Sequence, residues 1–176
     1  MPLCRKTSAV ALGSNLGDSL ALLSAAAQAL QQLAVPGSFR CSPLFRTAPV
    51  GGPADQPDFI NAVVLLDWQD TPEQLLEQLQ QLEAAAGRQR LIANGPRSLD
   101  LDLLWCGDEQ RSSAFLELPH PRLSQRRFVL QPLAALDPTL VPPGLALSVA
   151  ALLARVEQRG EEPPPEQLPS PHNWPS

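Results

Sequence analysis

The segment from Gly95 to Trp105, GPRSLDLDLLW, alternates leucine with aspartate, and this alternation constrains the fold more than any other stretch. As a β-strand, it places its leucines on one face and Asp100 and Asp102 on the other. A strand with one apolar face and one charged face is typical of an antiparallel sheet that is covered on one side. The leucines of the apolar face are Leu99, Leu101 and Leu103.

Three further segments are rich in strand formers and predict strands at residues 7–13, 38–47 and 59–68. With one helix after the first of them and another after the third, the order along the chain is βαββαβ. This is the order of the ferredoxin-like α+β fold, in which an antiparallel sheet carries both helices on one face. Asp100 and Asp102 would then project from the opposite, open face.

The two helices have clear spacing and end signals. Leucine and alanine recur at helical spacing between residues 20 and 33, after a turn in which either residue of the pair 18–19 can cap the helix. The second helix begins at a capping box formed by Thr71 and Gln74, and Gly87 ends it. Both helices therefore have an apolar face that can pack on the sheet.

The C-terminal part adds elements to this core. A turn at GDEQ begins a small hairpin that ends in FLELPH, and helical stretches follow around Arg127–Leu136 and Ser148–Gln158. Pro132 is expected to kink or shorten the first of these helices. We predict a single domain over residues 1–158. Residues 159–176 are proline-rich and acidic, and we expect this tail to be disordered.

Composition excludes several classes of function and location. The net charge of −5 argues against a general nucleic-acid surface. Three cysteines without metal-ligand spacing indicate reduced thiols in a cytosolic protein. The N-terminus lacks a secretory apolar region, and no stretch approaches a membrane-spanning length. We therefore expect a soluble, cytoplasmic protein without nucleic-acid or membrane partners.

The two aspartates are the strongest candidate site. Side chains two residues apart on a strand lie about 6–7 Å apart at Cα, and two carboxylates that close repel each other. A solvated strand face is the simpler explanation, but strands disfavour aspartate. Mg²⁺ would remove the repulsion, because it binds one or two carboxylates together with substrate phosphates. Three arginines just before the pair favour a metal–phosphate site: Arg88, Arg90 and Arg97.

A second candidate is the segment LPHPRLSQRRFVL. His120 lies between two prolines in a rigid, extended segment, and Arg122 and Arg126 follow within six residues. A lone histidine is more often structural than catalytic. The arginines favour the alternative that this cluster grips a polyphosphate.

A third candidate is the end of the loop over residues 48–58, which is longer than most hairpin loops. Asn61 follows it inside a run of strand formers, where it can donate to and accept from the edge of a heterocycle. Phe59 lies on the same face and could stack on a flat ligand. The simpler alternative is a solvent-facing asparagine. The turn GSNLGDS lacks phosphate-loop spacing and predicts only turn and cap chemistry.

The chain offers no evident protein nucleophile. It has no G-x-S-x-G motif, no cysteine near a histidine in sequence and no His/Cys metal spacing. The residues present indicate phosphoryl-type transfer, which depends on positioning and on charge neutralisation.

Five motifs occur in an order that resembles one family. They are ALGSNLGD, FRTAPVGGPADQPDFINAVV, LEAAAGRQR, GPRSLDLDLLW and LPHPRLSQRRFVLQPL, and they extend from about residue 8 to residue 145. This arrangement is similar to that of the 6-hydroxymethyl-7,8-dihydropterin pyrophosphokinases of folate biosynthesis. The resemblance implies transfer of the diphosphate of ATP to the hydroxymethyl group of the pterin, with release of AMP. The substrate hydroxyl would attack the β-phosphorus in line.

The resemblance also implies roles for individual residues. Asp100 and Asp102 match the acids that bind two Mg²⁺ ions bridging the phosphates of ATP, the co-substrate. Arg88 and Arg97 match arginines that neutralise charge in the transition state. The positions that match ATP contacts are Gln80, Glu83, Arg90, His120 and Arg126. Those that match pterin contacts are Thr47, Pro49, Val50, Phe59, Asn61 and Phe128.

The chain departs from some relatives at two places. The segment RQRLIAN before Gly95 is slightly shorter and lacks an Arg-Trp pair, with Ala93 and Asn94 in its place. Lid closure and nucleotide stacking would differ there. Phe59 replaces a tyrosine found in some members, which keeps the stacking and loses a hydroxyl.

Two other functions remain open from the sequence. The domain could sense a nucleotide or metabolite without turning it over, in which case the aspartates and arginines would only hold Mg–ATP. It could also be a metal-dependent phosphodiesterase, which would need an activated water and more metal ligands than the two clear carboxylates. For any of these functions the expected partners are small molecules, and we expect a monomer.

Overall fold

The computed structural model describes residues 5–49, 55–87 and 98–175. Its strands, numbered β1 to β8 in chain order, are Lys6–Ser14, Arg40–Cys41, Phe45–Thr47, Phe59–Trp68, Asp100–Cys106, Arg111–Ser112, Glu117–Leu118 and Glu166–Gln167. Its helices, α1 to α4, are Ser19–Leu33, Pro72–Ala85, Arg127–Leu136 and Val149–Arg159. A short 3₁₀ turn spans Leu123–Gln125.

The central sheet has the strand order β5-β1-β4-β3-β8, and β2 also pairs with β4. All of these pairings are antiparallel. The order and the two helices between the strands confirm the predicted ferredoxin-like α+β fold. The hairpin β6–β7 forms a separate two-stranded sheet, as the turn at GDEQ predicts.

The first two helices cover one face of the sheet. Asp18 caps α1 by accepting a hydrogen bond from the Ala21 amide, and Thr71 and Gln74 form the predicted capping box at α2. The core between helices and sheet contains the alternating leucines of β5 together with β1 and β4 side chains. The prediction that Leu99, Leu101 and Leu103 face the helices is confirmed.

The second face of the sheet is not open as predicted. A second apolar core joins this face to α3 and α4, and it contains Ala11, Val63, Leu65 and Val129. The physical reason is that β1 and β4 are apolar on both faces, so that an uncovered second face would expose a large hydrophobic surface. The result is a sheet between two helical layers, with Asp100 and Asp102 half-buried at the margin of the second layer.

The predicted strand over residues 38–47 is divided into β2 and β3. Pro43 has no amide hydrogen to donate. At Ser42 the side-chain Oγ accepts from the Val63 amide (2.9 Å), while the Ser42 amide donates to the Val63 carbonyl (3.0 Å). A side-chain oxygen therefore replaces a main-chain acceptor at the break, and the Ser42 carbonyl is left to bond elsewhere.

The C-terminal helices lie where they were predicted. Helix α3 is not shortened at Pro132, which is buried within it. Ser148 caps α4 by accepting from the Ala151 amide, and Gly160 ends it in the left-handed region (φ 64°). No helix among the described residues combines the length and apolar character that a membrane crossing requires.

The prediction that residues 159–176 are disordered is wrong for the described part of this tail. Glu166–Gln167 pairs with β3, and the Trp174 side chain is buried in the core on the α1–α2 face. The composition is typical of disorder, but one tryptophan and a free sheet edge supply enough burial and hydrogen bonding to order the segment.

Candidate active site

The two aspartates lie side by side on β5. In the register with β1, Asp100 is opposite Gly13 and Asp102 is opposite Ala11. Directly paired residues share a face, so both carboxylates lie on the face away from α1 and α2. They are half-buried, which lowers the screening of their charges by water. Asp102 also has a charged neighbour, because its Oδ2 lies 3.8 Å from Nη1 of Arg126.

Glu83 on α2 supports β5 through a hydrogen bond to its main chain. Its side chain is only 7% exposed on the inner face of α2, and its Oε2 accepts a hydrogen bond of 2.9 Å from the amide of Leu101. Leu101 stands between the two aspartates. A buried carboxylate is costly unless it is hydrogen-bonded. This bond therefore ties α2 to the main chain that carries the pair.

His120 is held next to the carboxylates by its own backbone. Its amide donates to the Leu104 carbonyl of β5 (2.8 Å), and its Nδ1 accepts from the Arg122 amide (3.2 Å). Burial, helped by the positive charges of Arg126 and Arg122, lowers the pKa of His120 to about 4, although Asp100 opposes the shift. The ring is therefore neutral near pH 7. Since Nδ1 is an acceptor, the proton is on Nε2, which can donate to an anionic ligand.

Arg126 connects the charged residues to an aromatic one. Its guanidinium carbon lies 5.3 Å from the centre of the Phe128 ring, within the range of a cation–π contact. The same guanidinium approaches Asp102. The start of α3 therefore places a phosphate-binding group and a stacking group within one turn of chain.

Asn61 lies in the same row of the sheet as Asp100. Gly13 is opposite Asp100 on β5 and opposite Asn61 on β4, so the three residues cross the sheet in line. Two inter-strand steps separate Asp100 from Asn61 by about 10 Å at Cα. Asn61 is 6% exposed, and its Nδ2 donates to Oγ1 of Thr47 (2.6 Å). This bond fixes the orientation of the side-chain amide, including its oxygen.

Gly13 is a site residue that the sequence reasoning missed. A Cβ atom at this position would lie 2.8 Å from Oδ1 of Asn61 and 3.9 Å from Cδ1 of Phe59. The side chains of Asn61 and Phe59 therefore pack closely over Gly13, in the space that a Cβ atom would occupy. A glycine inside a strand is a known sign of such close approach, and that signal was present in the sequence.

Asn15 is a second residue whose role the sequence did not predict, because the motif GSNLGDS indicates only a turn. Its buried side chain donates through Nδ2 to Oε1 of Gln56 (3.1 Å) and to the Pro57 carbonyl (3.0 Å). It therefore fastens the described end of the long loop to the end of β1. The signal in the sequence was weak, because asparagine is equally typical of turns.

The two described cysteines are poor nucleophiles. Burial raises the pKa of the Cys41 thiol to about 12, and burial also raises the pKa of Cys106. Both thiols stay protonated at neutral pH. Within residues 5–49, 55–87 and 98–175, no three His, Cys, Asp or Glu side chains form a metal-binding group.

The structure brings most of the predicted residues to one face and leaves others elsewhere. Pro49 stands half-buried after β3, and Gln80 is exposed on α2. Four predicted residues lie outside the described residues: Val50, Arg88, Arg90 and Arg97.

The family of the chain is shown by comparison with known proteins. Residues 9–138, well over half of the chain, match the model of the family described as 7,8-dihydro-6-hydroxymethylpterin-pyrophosphokinase (HPPK). The chain belongs to the HPPK family. The match includes every site residue discussed above.

Similar proteins carry the same family name. A Synechocystis 2-amino-4-hydroxy-6-hydroxymethyldihydropteridine pyrophosphokinase is 40% identical over 148 residues, which cover 84% of this chain and 75% of that protein. A Pseudomonas aeruginosa protein of the same name is 44% identical over 131 residues, covering 74% of this chain and 80% of the relative. These HPPK relatives match the chain over most of their own length.

Solved structures support the fold. A Plasmodium falciparum HPPK-DHPS triple mutant with pteroate aligns with a TM-score of 0.68 at 13% identity, covering 89% of this chain and 44% of that one. The wild-type protein with pterin and p-hydroxybenzoate gives a TM-score of 0.67 at 13% identity, with 42% of that chain covered. This HPPK chain spans less than half the length of those structures, and the likeness shows the fold alone.

Proposed function

We propose that this chain transfers the diphosphate group of ATP to the hydroxymethyl oxygen of 6-hydroxymethyl-7,8-dihydropterin. Membership of the HPPK family makes it an ATP-dependent pyrophosphokinase, a transferase of folate biosynthesis. In the proposed reaction the substrate hydroxyl oxygen forms a bond to the β-phosphorus. The bond from that phosphorus to the oxygen shared with the α-phosphorus breaks, the hydroxyl proton is released, and AMP leaves.

The observation that carries this proposal is the row formed by Asp100, Gly13 and Asn61. It places a charged cluster suited to phosphates and a fixed amide suited to a heterocycle on one face, about 10 Å apart at Cα. That separation suits two substrates that meet between the two groups, with the transferred phosphorus near the carboxylates. Positioning of this kind supplies much of the catalysis in phosphoryl transfer.

Asp100 and Asp102 are the proposed ligands of Mg²⁺. Their half-buried carboxylates on one strand face offer hard oxygen donors, and carboxylates combined with phosphate oxygens are the donor set that Mg²⁺ prefers. Two Mg²⁺ ions bound there would neutralise charge on the phosphates of ATP, the co-substrate. Glu83 keeps the main chain between the two ligands in place through the Leu101 amide.

The cationic residues are proposed to bind the phosphates. His120 would donate from Nε2, and Arg126 would do so from its guanidinium, since both lie near the aspartates. Arg88 and Arg97 are proposed to stabilise the charge of the transition state, and Arg90 is proposed to contact ATP. Gln80 and Glu83 are assigned to the nucleotide side, and for Glu83 the buried bond to β5 favours an indirect role.

The pterin is proposed to bind at the β3–β4 end of the row. Asn61 would read the edge of the ring through its oriented amide, with Thr47 as its support. Phe59 and Phe128 would stack on the two faces of the ring. Pro49 and Val50 are proposed to complete this side of the site.

The proposed partners are small molecules, and we propose a cytoplasmic monomer. The cysteines Cys41 and Cys106 are free thiols, which suits a reducing compartment.

A product assay tests the function. Purified protein is incubated with ATP, Mg²⁺ and 6-hydroxymethyl-7,8-dihydropterin, and the nucleotides are separated by chromatography. We expect AMP and the pterin diphosphate in equal amounts, and only when both the pterin and the metal are present. ADP would indicate transfer of one phosphoryl group and would contradict the proposal. Binding of ATP without turnover would favour a sensor domain instead.

A further inference from the structure

The C-terminal segment over residues 161–175 forms a strap around one edge of the sheet. It begins after α4, which packs on the second face, and it ends with Trp174 in the core on the α1–α2 face. The segment therefore crosses from one helical layer to the other. It lies beyond residue 138, where the match to the family model ends.

The middle of the strap adds a strand to β3. Glu166 pairs with Arg46, and Gln167 pairs with Phe45. The next amide, that of Leu168, donates to the Leu44 carbonyl (2.8 Å). These bonds satisfy main-chain groups of β3 that face away from β4 and would otherwise form an open sheet edge. An exposed ion pair joins Nη1 of Arg46 and Oε2 of Glu166 (3.3 Å).

Trp174 anchors the end of the strap. Its side chain is 7% exposed, and its Nε1 donates to the Ser42 carbonyl (3.0 Å), the acceptor set free by the break between β2 and β3. The neighbouring Asn173 carbonyl accepts from Nε2 of Gln28 on α1 (2.7 Å). The anchor therefore fixes the break itself as well as filling part of the core.

The start of the strap holds the first turn of α3. The Glu162 carbonyl accepts from Nη1 of Arg127 (3.3 Å), whose side chain is largely buried. Arg127 stands between the phosphate-side Arg126 and the stacking Phe128. One continuous segment thus contacts both β3, which leads to Thr47, and the turn that carries Phe128.

We propose that this strap is a positioning element for the pterin side of the site, with Trp174 as its key residue. The proposal rests on the function proposed above. Thr47 orients Asn61, and Thr47 is the last residue of the short edge strand that the strap closes. Without the anchor, the Ser42 carbonyl would lose its bond, and the three-residue strand β3 that follows Pro43 would be held less firmly against β4. We expect a smaller effect on the nucleotide side, because the bonds of the Trp174 side chain and the Asn173 carbonyl go to Ser42 and to α1, and not to β5 or α2.

The test compares variants at Trp174 in the full chain with a matched control at Trp68. Trp68 is a half-buried tryptophan that packs against the same core, and its Nε1 donates to the Thr71 carbonyl (2.9 Å) at the opposite end of β4. Trp174→Ala is expected to raise the KM for the pterin about tenfold, because a misplacement of about 1 Å in a positioning group can cost up to roughly 10²-fold. The KM for ATP should change less than about twofold, and Trp174→Phe should give an intermediate effect by keeping the packing and losing the hydrogen bond.

Hydrogen exchange of the ligand-free proteins supplies a measurement that does not depend on activity. Amides of residues 44–47 should exchange faster in Trp174→Ala, while those of β1 stay protected, and Trp68→Ala should leave residues 44–47 unchanged. Equal effects of Trp174→Ala and Trp68→Ala on both KM values would overturn the proposal, as would unchanged exchange at β3. If instead the wild-type protein makes no AMP, the proposed function fails, and the exchange result still decides whether the strap holds the edge.

Discussion

The two sides of the sheet position their functional side chains by different means. On the β5 side, Asp100 and Asp102 are placed by the long main-chain pairing of β5 with β1, and Glu83 supports the strand from α2. On the β3 side, the amide of Asn61 depends on a side-chain bond to a strand of only three residues. A side chain whose position is determined by main-chain pairing should tolerate substitution of its neighbours. A side chain whose position depends on a bond to another side chain should be sensitive to such substitutions.

This difference fits the chemistry at the two ends. Metal and phosphate binding needs fixed charges at constant separation, which the long main-chain pairing of β5 with β1 provides. Recognition of a flat heterocycle needs a few oriented hydrogen bonds and stacking surfaces.

Removal of a carboxylate from β5 should abolish turnover and spare the fold. Asp102→Ala and Asp100→Ala are each expected to lower kcat by a factor on the order of 10³ or more, because each removes a proposed ligand of the Mg²⁺ that would neutralise the phosphate charge. Circular dichroism and the unfolding midpoint should stay close to wild type, since both side chains are half-buried at the margin. Asp108→Ala, at an exposed aspartate in the turn after β5, is the control. Activity near that of the wild type in either variant would remove the metal assignment.

A methyl group at Gly13 should damage the β3 side of the site and spare the β5 side. Gly13→Ala places a Cβ 2.8 Å from Oδ1 of Asn61, a clash that costs about 1–3 kcal/mol if the amide cannot move. We expect the KM for the pterin to rise about 10- to 100-fold. The double variant Gly13→Ala, Asn61→Ala should be no worse than Asn61→Ala alone. Additive losses in this cycle would show that Gly13 acts by another route.

Substitution of Glu83 tests whether β5 depends on support from α2. Glu83→Ala leaves the Leu101 amide buried without that acceptor, at a cost of about 1–3 kcal/mol. We expect a several-fold rise in the Mg²⁺ concentration needed for half-maximal rate, together with lower stability in urea. Glu83→Gln keeps an acceptor and should recover most of the loss. A Gln variant as poor as the Ala variant would mean that the charge of Glu83 matters more than its bond to β5.

The neutral His120 should make the folded protein less stable in acid. Its pKa is lowered from 6.5 to about 4 in the folded state, so between these values the unfolded chain binds a proton that the folded chain does not. The contribution of His120 to the free energy of unfolding is therefore fully present above pH 6.5. It falls as the pH drops toward 4, by at most about 3 kcal/mol. Urea unfolding at pH 7 and pH 5 should show that the free energy of unfolding decreases less for His120→Gln than for the wild type. An identical loss would contradict a buried, neutral ring.

The sequence was sufficient for elements whose signals are local. The alternation from Leu99 to Leu103 set the faces of β5, and the Thr71 capping box marked the start of α2. Pro43 was a local signal for the break between β2 and β3, but the bonding at Ser42 could not be predicted, because its side-chain oxygen binds a strand about twenty residues away. Gly13 acquires its role only through the register of two pairings. Trp174 lies in a segment whose composition indicates disorder, and one buried contact reverses that expectation.

The most direct test of the account is a crystal structure with Mn²⁺, an ATP analogue with a methylene group between the α- and β-phosphorus, and 6-hydroxymethyl-7,8-dihydropterin. Anomalous scattering from Mn²⁺ locates the metal without ambiguity. The proposed site predicts anomalous peaks at Asp100 and Asp102. It also predicts that the edge of the pterin ring contacts Asn61 and that the hydroxymethyl group is directed at the β-phosphorus. Metal bound away from both aspartates, or a pterin that does not contact Asn61, would contradict it.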